Sequence, residues 1–492
     1  MQLHERILEL ALSRSFFFPS NEPYSTSAGF YEYGPVGVLI KHKIENLWRT
    51  KFIKSHGYHE VETSIVTPEA VLEASGHVAS FADPVIECKK CNTRIRADTL
   101  VEEKHYSKHG EKWDGKLESL DAVVEEQKIQ CPKCKGEFGK TFMFNLMFKT
   151  GIGGDQRPAY NRPETAQGIF TAFPRLFKNH GTKLPLAVGQ IGRSFRNEIS
   201  PRQGLVRMRE FTQMELEYFF DSEKGDFDGF NEIASSKIRV NAANQITEMD
   251  ANEMIEKKLC PNQIMAYFII KEWEFYKAIG IKEEKMYQRV LDMNETPHYS
   301  KGNIDMEVET SFGNIETIGN AYRTDYDLSQ HSAKSGKDLM VHVDGRKTMP
   351  HVVEVSMGVD RLFLAILEHC YKPKSEQKDW EWFDLPPAIA PYHVAIFPLM
   401  KKDGLGEKAA EIADQLRMAG LDVTYRDSGS IGRRYARGDE IGVPYAITID
   451  HETLSDGTVT IRYRNDGEQE RVKIEELEVK IRENLKQGKV RL

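Results

Sequence analysis

Residues 192–219 read Gly-Arg-Ser-Phe-Arg-Asn-Glu-Ile-Ser-Pro-Arg-Gln-Gly-Leu-Val-Arg-Met-Arg-Glu-Phe-Thr-Gln-Met-Glu-Leu-Glu-Tyr-Phe. Arg196-Asn197-Glu198 ends one strand, Ser200-Pro201-Arg202-Gln203-Gly204 makes a turn, and Phe211 to Phe219 alternates as a second strand. Arg193, Arg196, Arg202, Arg207 and Arg209 crowd this hairpin. Guanidinium forks bind phosphate bidentately, so arginines at this density suit a phosphate clamp. The plainer reading of a basic hairpin is a solvated face.

A second segment, residues 350–367, reads Pro-His-Val-Val-Glu-Val-Ser-Met-Gly-Val-Asp-Arg-Leu-Phe-Leu-Ala-Ile-Leu. An apolar strand runs into Gly358 and the Asp360-Arg361 pair, and an amphipathic helix starts near Val359. Together the two segments resemble motifs 2 and 3 of the class II aminoacyl-tRNA synthetases: the Phe-Arg-x-Glu hairpin and the Gly-x-x-Arg helix entry. Val61 to His77, with its proline at Pro68, resembles motif 1. More narrowly, Arg162-Pro163-Glu164-Thr165-Ala166-Gln167-Gly168 and Phe195 through Glu215 resemble the homodimeric glycyl-tRNA synthetases. The resemblance covers nearly the whole chain.

The resemblance implies an α+β fold: an antiparallel-sheet catalytic core with helical and zinc insertions, followed by a C-terminal α/β anticodon-binding domain. It implies ATP-dependent activation of glycine to glycyl-adenylate, then transfer to the 3′-terminal ribose of glycine tRNA. Neither step needs a protein nucleophile, so catalysis is mainly positioning and charge stabilisation at phosphorus. By resemblance, Arg196 binds the α-phosphate, Glu198 contacts the adenine amino group, Phe211 stacks on the base and Arg207 reaches the terminal phosphates. Arg361 covers the other face of the adenine and touches the γ-phosphate. Asn197, Val206, Thr317 and Gly358 complete the ATP set. Glu316 and Glu354 hold Mg²⁺, whose hardness suits carboxylate oxygens, and Arg196, Glu354 and Arg361 form the catalytic set. The glycine set is Glu164, Glu215 and Ser356, with Arg96, Phe211, Gln213 and Glu354. A homodimer formed through motif 1 is implied as well.

The chain has 492 residues, room for about three domains. Its net charge of −8 gives no global signal for nucleic acid, so a tRNA would need local basic patches. Such patches stand at 193–209, at 426–437 and near the C-terminus. Arg426, Arg433, Arg434 and Arg437 are the anticodon candidates. Leu3, Ile7, Leu10 and Ala11 keep helix spacing among charges, which is not a signal-peptide core. No run approaches 18 apolar residues, so no membrane span is expected.

Four of the six cysteines pair as Cys88-Lys-Lys-Cys91 and Cys131-Pro-Lys-Cys134. In a chain without a secretion signal this suggests a reducing cytoplasm and a metal site. Four thiolates suit tetrahedral Zn²⁺, in a closed and therefore structural site. Disulfides and a vacant site are the alternatives. Cys260 and Cys370 read as inert core thiols.

Residues 1–385 read as the core. One insertion is expected at 88–140, after which the core resumes with a strand around Phe142 to Met147. A second, mainly helical insertion is expected at 221–299. Leu385-Pro386-Pro387-Ala388-Ile389-Ala390-Pro391 reads as a linker, at 386–391. From 392 to 492 strands alternate with helices, as in a small α/β domain. Two rival readings remain: a sibling synthetase for threonine, proline or serine, which would lack the acidic set around Glu164, and a non-catalytic nucleic-acid-binding relative, which would erode the phosphate-binding residues.

Overall fold

The computed structural model describes residues 2–24, 27–106, 113–199, 201, 204–292, 295–297 and 299–487. Ser200, Arg202 and Gln203 of the expected turn, and residues 488–492, lie outside these.

Among the described residues the central sheet has nine strands: β1 (His59–Glu60), β2 (Leu186–Phe195), β3 (Glu210–Phe220), β4 (Ile238–Ala242), β5 (Gln245–Met249), β6 (Met286–Val290), β7 (Asn303–Thr310), β8 (Gly313–Thr324) and β9 (His351–Gly358). The order is β5-β4-β6-β7-β8-β9-β3-β2-β1. Neighbours are antiparallel except β1 with β2 and β4 with β6. The β2–β3 pair is the expected hairpin, in register from Leu186 opposite Phe219 to Phe195 opposite Glu210.

The two-residue period of β3 sets the architecture. Met214, Leu216, Tyr218 and Phe220 enter the main hydrophobic core, while Gln213, Glu215 and Glu217 alternate with them and are buried too. The main core also takes α1 (Leu3–Ser13), α2 (Pro35–Trp48), α4 (Gln263–Ala278) and α6 (Val359–Cys370). A second cluster, containing Phe219, takes α3 (Ala166–Asn179) and Leu328 of α5 (Tyr326–Ser335). Motif 3 is laid out as the sequence predicts, with β9 ending at Gly358 and α6 starting at Val359.

Three expectations change. The 221–299 segment does contain α4, but it also supplies β4, β5 and β6, so it extends the central sheet as well as adding helices. The strand Phe142–Asn145 does not resume the core. It pairs with Ala82–Glu87, which in turn pairs with Arg94–Arg96, in a small sheet of its own. The 386–391 stretch is no free linker: Ile389 and Ala390 are fully buried in or beside the main core.

The C-terminal segment forms a sheet ordered β11-β10-β12-β13-β14, from β10 (Val394–Pro398), β11 (Val423–Tyr425), β12 (Tyr445–Ile449), β13 (Thr458–Tyr463) and β14 (Gln469–Lys473). Helices α7 (Leu405–Met418), α8 (Ile431–Glu440) and α9 (Ile474–Lys486) accompany it. The first three strands are parallel and the last two antiparallel to their neighbours. No helix among the described residues is long and apolar enough to cross a membrane.

Candidate active site

A cavity of about 410 Å³ opens on the central sheet. Its lining gathers residues far apart in sequence: Glu164 before α3, Arg196 and Glu198 after β2, Val206 and Arg207 before β3, and Phe211, Gln213 and Glu215 on β3. Glu316 and Thr317 on β8, Glu354, Ser356 and Gly358 on β9, and Arg361 at the start of α6 complete it. Two expected residues stand outside. Arg96 is held by Asp98 and lies 3.2 Å from Asp83. Asn197 instead ties the strand end down, its N–H donating to the Leu146 carbonyl at 2.6 Å.

At one end of the cavity Arg196 lies between two aromatic rings, 5.3 Å from the centroid of Phe81 and 5.2 Å from that of Phe211. Phe211 therefore packs on the arginine as well as facing the cavity. Arg361 donates to the Val206 carbonyl and to the Glu316 carbonyl, each at 3.0 Å, and so spans the motif 2 loop and β8. The other hairpin arginines do different work. Arg209 donates to the carbonyls of Glu198 and Ala28, and Arg193 lies 3.8 Å from Glu210.

The other end is acidic and enclosed. Glu215 has both oxygens occupied: Oε2 accepts from the Thr165 N–H at 2.8 Å and from the Thr165 hydroxyl, and Oε1 accepts from Ser356 at 2.6 Å and Gln213 at 2.9 Å. A carboxylate offers about four lone-pair sites, so Glu215 is filled by the protein itself. Burial, then the nearby charge of Glu164, pushes its pKa up. Glu354 pairs with the fully buried Arg323, which also holds Asp327. Burial still raises the Glu354 carboxyl, against the pull of Arg323. Burial works against the charge on Glu164 too, yet His77, Arg323 and the Gln167 amide hold its carboxyl well below the usual range.

Arg323, His77 and Asp305 were missed by the sequence reading. Asp305 lies on β7. Burial, followed by Glu316 and Glu307, pushes its carboxyl up to about 8. A Cβ built on Gly319 would lie 3.7 Å from Asp305 Oδ1 and 4.0 Å from Glu316 Oε1, so the two carboxylates converge over this glycine. The two expected Mg²⁺ residues, Glu316 and Glu354, both line the cavity but at different places along the sheet. Glu354 stands opposite Ala321 on β8. Glu316 is five residues further along that strand, on the order of 16 Å away at the usual strand rise. Asp305 thus adds a further carboxylate beside Glu316, of the kind a hard cation takes.

The four paired cysteines come together. Their sulfurs lie within 4.8 Å of one another, with Cys88 to Cys134 at 3.5 Å and Cys91 to Cys131 at 3.7 Å. A tetrahedron with Zn–S bonds of 2.3 Å has edges of about 3.8 Å, so the set fits zinc. No disulfide joins them. A Cβ at Gly136 would stand 3.2 Å from the Cys88 sulfur and 3.3 Å from that of Cys134, so a side chain there would crowd the cluster. Cys260 and Cys370 are buried, and burial pushes both thiols up to about 12.

In the C-terminal unit, Arg426, Arg433 and Arg437 line a groove with Arg14 of α1 and Glu440. Arg434 reaches that groove but is 3% exposed, and its guanidinium donates to the carbonyls of Pro398, Arg426 and Leu399. It holds β10 to α8 and is not free to read RNA.

Comparison with known proteins agrees with this geometry. Residues 148–370 match the tRNA synthetase class II core domain (G, H, P, S and T), and residues 393–484 match the anticodon binding domain. A glycine–tRNA ligase of Methanocaldococcus jannaschii is 39% identical, covering 99% of each chain. One of Pyrococcus abyssi is 38% identical, covering 98% of each. The solved prolyl-tRNA synthetase of Cryptosporidium parvum, complexed with halofuginone and AMPPNP, covers 99% of this chain and 78% of that one with a TM-score of 0.60. At 15% identity this last likeness speaks for the fold alone. Sheet, cavity and full-length relatives agree: the chain belongs to the glycine–tRNA ligase family of class II synthetases.

Proposed function

We propose that the chain activates glycine with ATP and transfers the glycyl group to glycine tRNA. In the first step a glycine carboxylate oxygen attacks the α-phosphorus, the bond to the bridging oxygen breaks, and pyrophosphate leaves. In the second, the terminal ribose hydroxyl of the tRNA attacks the carbonyl carbon, and AMP leaves. One observation carries this reading: a single cavity has an arginine end suited to polyphosphate and an enclosed acidic end suited to a small ammonium. Arg196 stabilises the charge that develops on the α-phosphate, and Arg361, Glu198 and Phe211 position the nucleotide. Arg207 takes the terminal phosphates.

Glu164 and Glu354 face the glycine ammonium. Glu215 acts by fixing Ser356 and Gln213 as a small polar wall. Mg²⁺ bound with ATP neutralises phosphate charge, and Asp305 with Glu316 would hold it. Zn²⁺ held by Cys88, Cys91, Cys131 and Cys134 would staple the small inserted sheet and its helices. The C-terminal unit binds the anticodon arm through Arg426, Arg433 and Arg437. Homodimerisation through the motif 1 segment is supported by the outward-facing Ile65 and Val66, 39% and 42% exposed. Free thiols throughout suit a reducing, cytoplasmic setting.

ATP–pyrophosphate exchange with each amino acid in turn tests the reading. Glycine alone should support exchange. Exchange driven by threonine, proline or serine in its place would assign the chain to a sibling activity, and exchange with none would leave a binding protein.

A further inference from the structure

His77 lines the cavity, and the reaction above assigns it no role. It follows the motif 1 strand, on the short helix His77–Ser80. Its Nε2 lies 3.3 Å from Glu164 Oε2, and its Nδ1 lies 2.7 Å from the Ser75 hydroxyl. Glu164 Oε1 is taken separately by the Gln167 amide at 2.8 Å. That amide also donates to Asp327 at 3.1 Å, and its carbonyl oxygen meets His331 at 2.8 Å. Each oxygen of Glu164 therefore has one protein donor behind it, leaving lone pairs toward the cavity. Both side chains are nearly enclosed, 10% exposed for His77 and 12% for Glu164.

The partner at Nε2 fixes one proton. Glu164 can only accept, so the imidazole must present N–H at Nε2. The Ser75 hydroxyl meets Nδ1 at 2.7 Å, a bond that sets the ring plane, and also lies 3.3 Å from the Leu72 carbonyl. Of the two donors on Glu164, Gln167 is uncharged and serves three partners, whereas His77 serves Glu164 and Ser75. Removing His77 would leave an enclosed carboxylate short of a donor, which favours its neutral form. A neutral Glu164 would offer no charge to an ammonium.

We propose that His77 is a positioning residue for amino-acid selection: held by Ser75, it aims the carboxylate that receives the glycine ammonium. This rests on the assignment of Glu164 to the ammonium. It ties the motif 1 segment to the amino-acid end of the cavity.

Steady-state exchange kinetics on the full-length protein test it. His77→Leu should raise the glycine KM at least tenfold and move the ATP KM less than twofold. His77→Gln, which restores an N–H donor without the ring, should recover most of the loss. If the leucine variant does not fold, Ser75→Ala serves instead. It leaves the imidazole in place but free to turn, and should raise the glycine KM severalfold with ATP unaffected. Equal rises in both KM values, or no rescue by glutamine, would overturn the proposal. Glu164→Gln separates it from its premise. If that variant raises the glycine KM and His77→Leu does not, His77 has no such role and the assignment of Glu164 stands. If Glu164→Gln itself leaves glycine unaffected, the premise falls and the proposal with it.

Discussion

On the proposed reading, Ser356 belongs to the wall that selects the smallest amino acid. Its hydroxyl donates to Glu215 at 2.6 Å, and Glu215 is itself pinned by Thr165 and Gln213. A wall built this way cannot yield, so a methyl on the substrate meets fixed atoms. Overpacking costs roughly 1–3 kcal/mol, tens- to about a hundredfold in selectivity. Ser356→Gly should therefore raise alanine-dependent exchange relative to glycine by roughly tenfold; an unchanged ratio would place the excluding wall elsewhere. Arg196 works by charge. Arg196→Ala should cut exchange by about 3 kcal/mol, roughly a hundredfold or more, with no change in Tm. Exchange within threefold of wild type would remove Arg196 from the α-phosphate. The sequence placed Arg196 and Glu164 correctly in the cavity because both sit in contiguous, recognisable runs. Arg323 stands in no such run and His77 only closes the motif 1 segment, and the importance of both comes from partners brought in by the fold.

At the scale of elements, the register of the β7–β8 pair decides which carboxylates come together. It puts Asp305 opposite Gly319, next to Glu316, and carries Glu354 a long way down the sheet. On the opposite side of the sheet from the cavity, helix α4 buries Glu272 completely. Its Oε2 accepts from Gln288 and Asn320, each at 3.1 Å, yet burial pushes its pKa up to about 8. The sign follows directly. A carboxyl raised above its unfolded value is protonated in the fold, and stability falls as pH rises through the folded pKa. Glu272→Gln keeps an acceptor and removes that loss. It should raise Tm at pH 9, by an amount on the order of a few kcal/mol in stability, and change little at pH 5. Equal shifts at both pH values would mean that packing, not ionisation, is responsible. The cysteine insertion depends on its metal in the same local way. Cys131→Ser should take zinc from about one per chain to a small fraction and make the insertion protease-sensitive, while Cys260→Ser leaves zinc unchanged. Metal analysis of a preparation made without chelators checks both.

At the scale of the whole molecule, the two large units are fused more closely than a proline-rich connector suggests. Phe397, Ile441 and Val443 of the C-terminal unit share the main core with α6 and Leu385. Across the seam the buried Arg464 binds Asp384 and the carbonyls of Leu385 and Gly442, and Arg14 of α1 pairs with Glu440. Deleting everything after 391 would expose this core, so point changes are the better probe of tRNA binding. Arg433→Ala should weaken tRNA affinity severalfold, with a shallower salt dependence and an unchanged Tm. Arg434→Ala should instead lower stability by about 3 kcal/mol, because buried carbonyls lose their donors. A reversal of these two outcomes would exchange the roles. The sequence by itself determined the motif hairpin, the strand-to-helix entry at Gly358, the cysteine tetrad and the alternation of the C-terminal unit. All of these are local periodicities or short spacings, carried by residues near one another in the chain. Only the tertiary structure decided which acid meets Arg323, which carboxylates converge over Gly319, that Arg434 points inward, and that the connector is core. Each depends on register between strands or on burial, and both are set by contacts between segments that lie far apart along the chain.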